Sequence, residues 1–171
     1  MINKIFNELK KLDIVDWGVV YLGCKGLPIG ELSPNNVSDY ACEQLAIIES
    51  NDATFMSVSE LSFCTEINIE VINLISKLCD LNNVNLILSK KKWVVLSIKE
   101  LMNHLSKDSV YGLLELNNFW NEWGELNNSP NIIQGVNNRM TPSEFYSDEN
   151  YLKIVLDYNL WIKKELNKLY T

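Results

Sequence analysis

Apolar and polar positions alternate along most of this chain with the period of an α-helix, and the densest such stretch runs from Ser89 to Leu105. Val94, Ile98, Leu101 and Leu105 fall at i, i+4, i+7 and i+11, and Trp93, Leu96 and Met102 widen the apolar face well beyond a stripe. A helix apolar around so much of its girth is one buried by several neighbours, so the spacing predicts a central, continuous helix over 89–105. The same region admits a second reading. Val84 to Leu88 and Trp93 to Ile98 can be written as two strands joined by a turn at Ser89–Lys92. With the short helices expected just before, that gives an α+β alternative with a winged-helix-like centre at 57–98.

The flanking segments favour helices. Ile5, Phe6, Leu9 and Leu12 lie on one side of a first short helix, Ile2 to Leu12. Asp16 is placed to cap a second, W-G-V-V-Y-L-G-C, stopped near Gly26 and Pro28. Ser33-Pro34 reads as an N-cap followed by proline at the first helical position, with Val37, Tyr40, Ala41, Leu45 and Ile48 continuing the period. Ser57–Glu60 has the pattern of a capping box, and Thr141–Glu144 repeats it with proline well placed. Ile67, Val71, Ile75 and Leu78 mark a helix ending near Leu81. Asp108 can cap a helix with Val110, Leu113, Leu116, Trp120 and Trp123 inward and Gly124 just past its end. Asn127 to Asn138 is a loop. A long helix from about Asp148 to Tyr170 closes the chain, with Tyr151, Val155, Tyr158, Ile162 and Leu166 as its buried stripe and Trp161 beside them. The expectation is a single all-α domain, 1–171, of about eight helices.

Length and composition fit this. The chain has 171 residues, 47% of them hydrophobic, enough to bury a core without disulfides or metal. No apolar run approaches the ~18–20 residues that span a bilayer, and the N-terminus reads as an amphipathic helix rather than a signal peptide. Cys24, Cys42, Cys64 and Cys79 include no C-x-x-C pair, and His104 is the only histidine. Scattered buried thiols in a reducing cytoplasm are therefore expected, with neither a zinc site nor any cofactor.

Candidate chemistry is sparse. His104 has Glu100 and Asp108 four residues to either side, which a continuous helix would bring together as an acid–base or metal site. A solvated helix face explains the same spacing, because no second histidine or cysteine pair completes a shell. Lys90, Lys91 and Lys92 read as a solvated helix start or turn. Catalytic, cofactor-binding and metal-ligating residues are accordingly expected to be none; a hydrolase working through carboxylates is the enzymatic alternative.

Charge is more informative. The net formal charge is −7, which argues against direct nucleic-acid binding and suits a basic partner. The helix expected from Ile67 to Leu81 would have to read DNA in a winged-helix protein, yet it carries Glu70 and Asp80 against Lys77. The charge is lopsided: from Asp108 to Asn150, Asp108, Glu115, Glu122, Glu125, Glu144, Asp148 and Glu149 face only Arg139. Phe119, Trp120, Trp123, Phe145 and Tyr146 are interleaved with them. The expected partner-binding residues are Glu115, Trp120, Glu122, Trp123, Glu125, Glu144, Asp148 and Glu149, with Trp120 or Trp123 as the anchor if either is exposed.

W-G-V-V-Y-L-G near the start, the S-P-x-x-V-x-x-Y-A helix, K-K-W-V-V-L-S-I-K-E-L, L-L-E-L-N-N-F-W-N-E-W and the closing aromatic helix together make the chain resemble a family of small bacterial proteins of unknown function. Small acidic proteins of this sort also look like immunity proteins of bacterial toxin systems, including contact-dependent growth inhibition. That resemblance implies a non-catalytic cytoplasmic protein that binds one toxin domain and blocks it; the acidity of the chain suits a basic toxin such as a nuclease. A non-catalytic adaptor or regulatory protein is the alternative.

Overall fold

In the computed structural model, residues 1–169 are described, and they form nine α-helices with no strand beyond an isolated bridge between Leu27 and Gly30. The helices are α1 (Ile2–Lys11), α2 (Trp17–Lys25), α3 (Pro34–Leu45), α4 (Phe55–Leu61), α5 (Ile69–Leu81), α6 (Leu86–His104), α7 (Ser109–Trp123), α8 (Pro142–Phe145) and α9 (Asp148–Leu169). The protein is all-α. The region with two readings is one helix: α6 is unbroken from Leu86, and every residue from Lys92 to Ile98 is buried. Burial on all sides of those two turns is what a girdle of Trp93, Val94, Val95, Leu96 and Ile98 demands. The winged-helix alternative is therefore overturned.

The chain divides into two compact units, Met1–Trp93 and Val94–Thr171, with the division inside α6. In the first unit the expected caps form. Asp16 accepts from the Val19 amide at 2.8 Å, and Ser33 accepts from Asn36 at 3.4 Å ahead of Pro34. Asn68 caps α5 in the same way, accepting from Val71 at 3.0 Å. Phe6 of α1 stacks on Trp93 with ring centroids 6.1 Å apart, and Tyr40 of α3 meets Trp17 edge-on at 5.0 Å. Gly18 lets α2 and α6 approach, because a Cβ there would collide with the Ser89 hydroxyl. The Trp93 indole donates to the Val19 carbonyl at 2.9 Å across the same contact.

In the second unit α7 and α9 run side by side in the same direction. Gly112 of α7 sits against Tyr151, and eight residues on, Trp120 donates to Tyr158 at 2.7 Å and meets Trp161 edge-on. Parallel neighbours require a return connection, supplied by residues 124–147 with α8 in it. Thr141 and Glu144 form the expected capping box on α8, and Asp108 caps α7 by accepting from Val110 and Tyr111. Gly124 ends α7 at φ +74°, as its position predicts.

Several local expectations need correction. Ser57 does not cap a helix: Asp52 accepts from both the amide and the hydroxyl of Thr54, and α4 begins at Phe55 with Ser57 buried inside it. Val110 points outward rather than into the core. On α9 the buried stripe is Tyr151, Ile154, Tyr158, Trp161 and Ile162, so Trp161 is central to it and Val155 and Leu166 are its margin. The expected end of that helix at Tyr170 lies outside the described residues.

All four cysteines are free, but Cys42 is exposed on α3 while Cys24, Cys64 and Cys79 are buried. Burial pushes the Cys24 thiol up to about 12, with the neighbouring Cys64 and the Glu31 carboxylate adding to it. Cys79 is pushed up to about 11, chiefly by burial. Because the thiolate is the nucleophile, Cys42 is expected to be the fast-reacting thiol toward a disulfide reagent at pH 8, with Cys24 and Cys79 reacting only after unfolding. A fast phase that survives Cys42→Ser would contradict this placement.

Candidate functional site

The residue types with most chemical potential in the first unit meet at the N-terminus of α2. Asp16 Oδ1 accepts from Ser89 Oγ at 2.8 Å while its Oδ2 pairs with the Lys92 ammonium. Aspartate, serine and lysine in contact resemble parts of a nucleophilic site. Ser89 is fully buried and Lys92 nearly so, however, and both reach Asp16 across the packed interface of α2 and α6. A hydroxyl with no path for a substrate orients helices rather than reacting. Lys92 is thus no part of a solvated basic run, in contrast to exposed Lys90. Sequence reasoning missed this cluster because 73 and 76 residues separate its members.

The His104 constellation does not assemble as its spacing predicts. His104 Nε2 lies 3.1 Å from Glu100 Oε1 and its ring is largely exposed. Helix α6 ends at His104, and Asp108 begins the next element as the cap of α7. A continuous helix through all three residues was the premise of the site, and the break removes it. Among the described residues, no three histidine, cysteine, aspartate or glutamate side chains are grouped to hold a metal ion. Likewise, no described helix is long and apolar enough to cross a membrane.

The acid-rich segment lies wholly in the second unit. Glu122, Glu125, Glu144, Asp148 and Glu149 are exposed, and so is Arg139. Glu115 is half-buried and braces the start of its own helix, since its Oε2 accepts from the Ser106 amide at 3.0 Å. Glu125 accepts from Asn131 at 2.5 Å, tying the return connection to the end of α7. Bonds from the Thr141 amide and hydroxyl hold the Glu144 carboxyl below its ordinary value. Because α7 and α9 are parallel, Asp148 and Glu149 sit at the end where α7 begins, and Glu122 and Glu125 at the end where it stops. The fifteen residues of α7 put about 20 Å between those ends, so the acids form two groups rather than one.

The expected aromatic anchors are not at the surface. Trp120 and Trp123 are 2% and 3% exposed. They face inward because α7 turns its aromatic side to α9: Trp120 packs edge-on against Phe119 and Trp161, and Trp123 stacks on Phe119. Both belong to the core, and the anchor role is withdrawn from them. The exposed aromatic of the segment is Tyr111, 66% accessible on the first turn of α7. The signal for it in the sequence is its place next to Val110, which also faces outward.

An open cleft of about 780 Å³ lies beside the α8–α9 junction, lined by Arg139, Ser143, Glu144, Ser147, Glu149 and Lys153 among others. Its charged residues are of both signs and all of them are exposed, so neither carboxylate is desolvated in the way a general acid would be.

No curated protein and no solved structure matches the sequence. A family model described as an uncharacterized protein conserved in bacteria (DUF2247) matches residues 6–166, from the first turns of α1 to the last of α9, and the chain belongs to that family.

Proposed function

We propose that this protein is an immunity-type inhibitor that binds and neutralises a bacterial toxin domain with a basic active face, such as a nuclease, in the cytoplasm. The observation that carries the reading is the distribution of exposed charge. The segment from Asp108 to Asn150 has seven acidic residues against Arg139 alone, a net of −6 in a chain whose total is −7. Six of those carboxylates, Asp108, Glu122, Glu125, Glu144, Asp148 and Glu149, are exposed. A nuclease must attract phosphate and so presents a positive surface; the two acidic groups at the ends of α7 are steered to it at long range and meet it at two places on arrival. Exposed Tyr111 supplies an amphipathic anchor of the kind interfaces favour.

The test is co-expression with the C-terminal domain of a large secreted protein encoded beside this chain. Co-purification of the two and protection of cells expressing that domain is the expected result. Failure of both with each basic toxin domain so encoded would overturn the proposal.

A further inference from the structure

The outward face of α9 carries a pattern independent of the toxin reading. Glu149, Leu152, Leu156, Leu160 and Lys163 are all exposed, the three leucines at 68%, 57% and 57%. At roughly 100° per residue they fall within an arc of about 80°, opposite the stripe of Tyr151, Ile154, Tyr158, Trp161 and Ile162 that faces the core. The spacing of 149, 152, 156 and 163 is that of a helix-pairing seam. Single exposed leucines are ordinary on a surface; three in line, closed by an acid at one end and a base at the other, make a continuous strip.

We infer that this strip pairs two copies of the chain through antiparallel α9 helices related by a two-fold axis at Leu156. The occupant is fixed by the arithmetic of the positions. Under such an axis Leu156 meets its own copy, Leu152 meets Leu160 of the second chain, and Glu149 meets Lys163, because each pair is equally spaced about 156. The face is its own complement in residue pattern and in charge, as a two-fold interface requires. Parallel pairing would set Glu149 against Glu149 and Lys163 against Lys163, so the charges select the antiparallel arrangement. Asp148 and Lys164, both exposed at the rim, are symmetric about 156 as well and reinforce the same choice. The strip spans about four helical turns. One helix face of that length is at the small end for a stable interface, so the dimer is weak and concentration-dependent.

Sedimentation equilibrium of the full chain, without any partner, tests this. A reversible monomer–dimer equilibrium is expected. Leu156→Glu, which places two like charges on the axis, should weaken it by more than about 30-fold. Leu156 is exposed, so the variant should keep the circular dichroism and melting temperature of the wild type. Glu149→Lys should weaken the dimer roughly 3- to 10-fold, and adding Lys163→Glu to it should restore the dimer. A single monomeric species up to about 1 mM, or a dimer indifferent to Leu156→Glu, would overturn the inference. A double charge swap that fails to restore would overturn the antiparallel register. If the chain is monomeric and Leu156→Glu instead abolishes capture of a toxin domain, the face belongs to that partner and self-pairing is wrong. The monomer–dimer outcomes are read on the chain alone, so the toxin proposal can fail without touching them.

Discussion

Replacing Asp16 by alanine is expected to lower the stability by about 3–5 kcal/mol, most of it from a stranded lysine. The carboxylate caps α2, accepts from Ser89 and pairs with Lys92. Losing the cap alone costs about 1 kcal/mol. Losing the counter-charge strands the ammonium of a lysine whose side chain is 10% exposed, whereas the Asp16 side chain is 27% exposed. That residual solvation of the aspartate places the effect toward the lower end of the range. Two further variants separate the contributions. Asp16→Asn retains a capping oxygen and should fall between wild type and alanine. Lys92→Met in the Asp16→Ala background should recover part of the loss, because a buried apolar chain is better than an unpaired charge. Urea unfolding followed by circular dichroism measures all three. A loss below about 1 kcal/mol for Asp16→Ala would mean that the pair is effectively solvated.

A loss of similar size is expected for Trp120→Ala, about 3–5 kcal/mol. Trp120 fills the contact between α7 and α9 and donates to the Tyr158 hydroxyl at 2.7 Å. Tyr158→Phe removes only that acceptor and should cost about 1–3 kcal/mol, the penalty for a buried indole N–H without a partner. Burial raises the Tyr158 phenol well above its ordinary value, so the hydroxyl stays protonated and acts as a neutral acceptor throughout the physiological range. Equal urea midpoints for Tyr158→Phe and wild type would contradict the bond. The Trp120 result also separates core from interface. A destabilised variant that still binds its partner once folded is what an inward-facing tryptophan predicts, whereas a stable variant that has lost binding would return Trp120 to the surface role.

The sequence carried the helical class and most helix ends because those are local signals. Asp16, Ser33, Asp108 and Thr141 each cap the helix that their spacing indicates. The apolar girdle of α6 distinguished a buried helix from a hairpin only once continuity from Leu86 was seen. Ser57 failed for a local reason too: Asp52 captured Thr54 first and started α4 upstream. Direction of facing was harder. Trp120 and Trp123 have the hydrophobic spacing of a core and the composition of an interface, and composition does not decide between them; packing against Phe119 and Trp161 does. The acidic residues were legible as a segment, but their separation into two groups depends on α7 and α9 being parallel, a property of topology rather than of spacing. The Asp16–Ser89–Lys92 cluster depends on two helices meeting across more than seventy residues, which no pattern in one sequence encodes.

If an acidic face captures a basic partner, the association rate is the quantity that reports it most directly. Glu122 and Glu125 are exposed at one end of α7. Glu115 is unsuitable for reversal, since it accepts from the Ser106 amide and its loss would disturb the start of α7. Stopped-flow association of the chain with the toxin domain, across a range of ionic strength, should show a rate that falls steeply with salt. Glu122→Lys combined with Glu125→Gln, which keeps an acceptor for Asn131, should slow association about fivefold at low salt and flatten that dependence, while changing dissociation little. An association rate and a salt dependence both unchanged by this double variant would contradict capture through the acidic face.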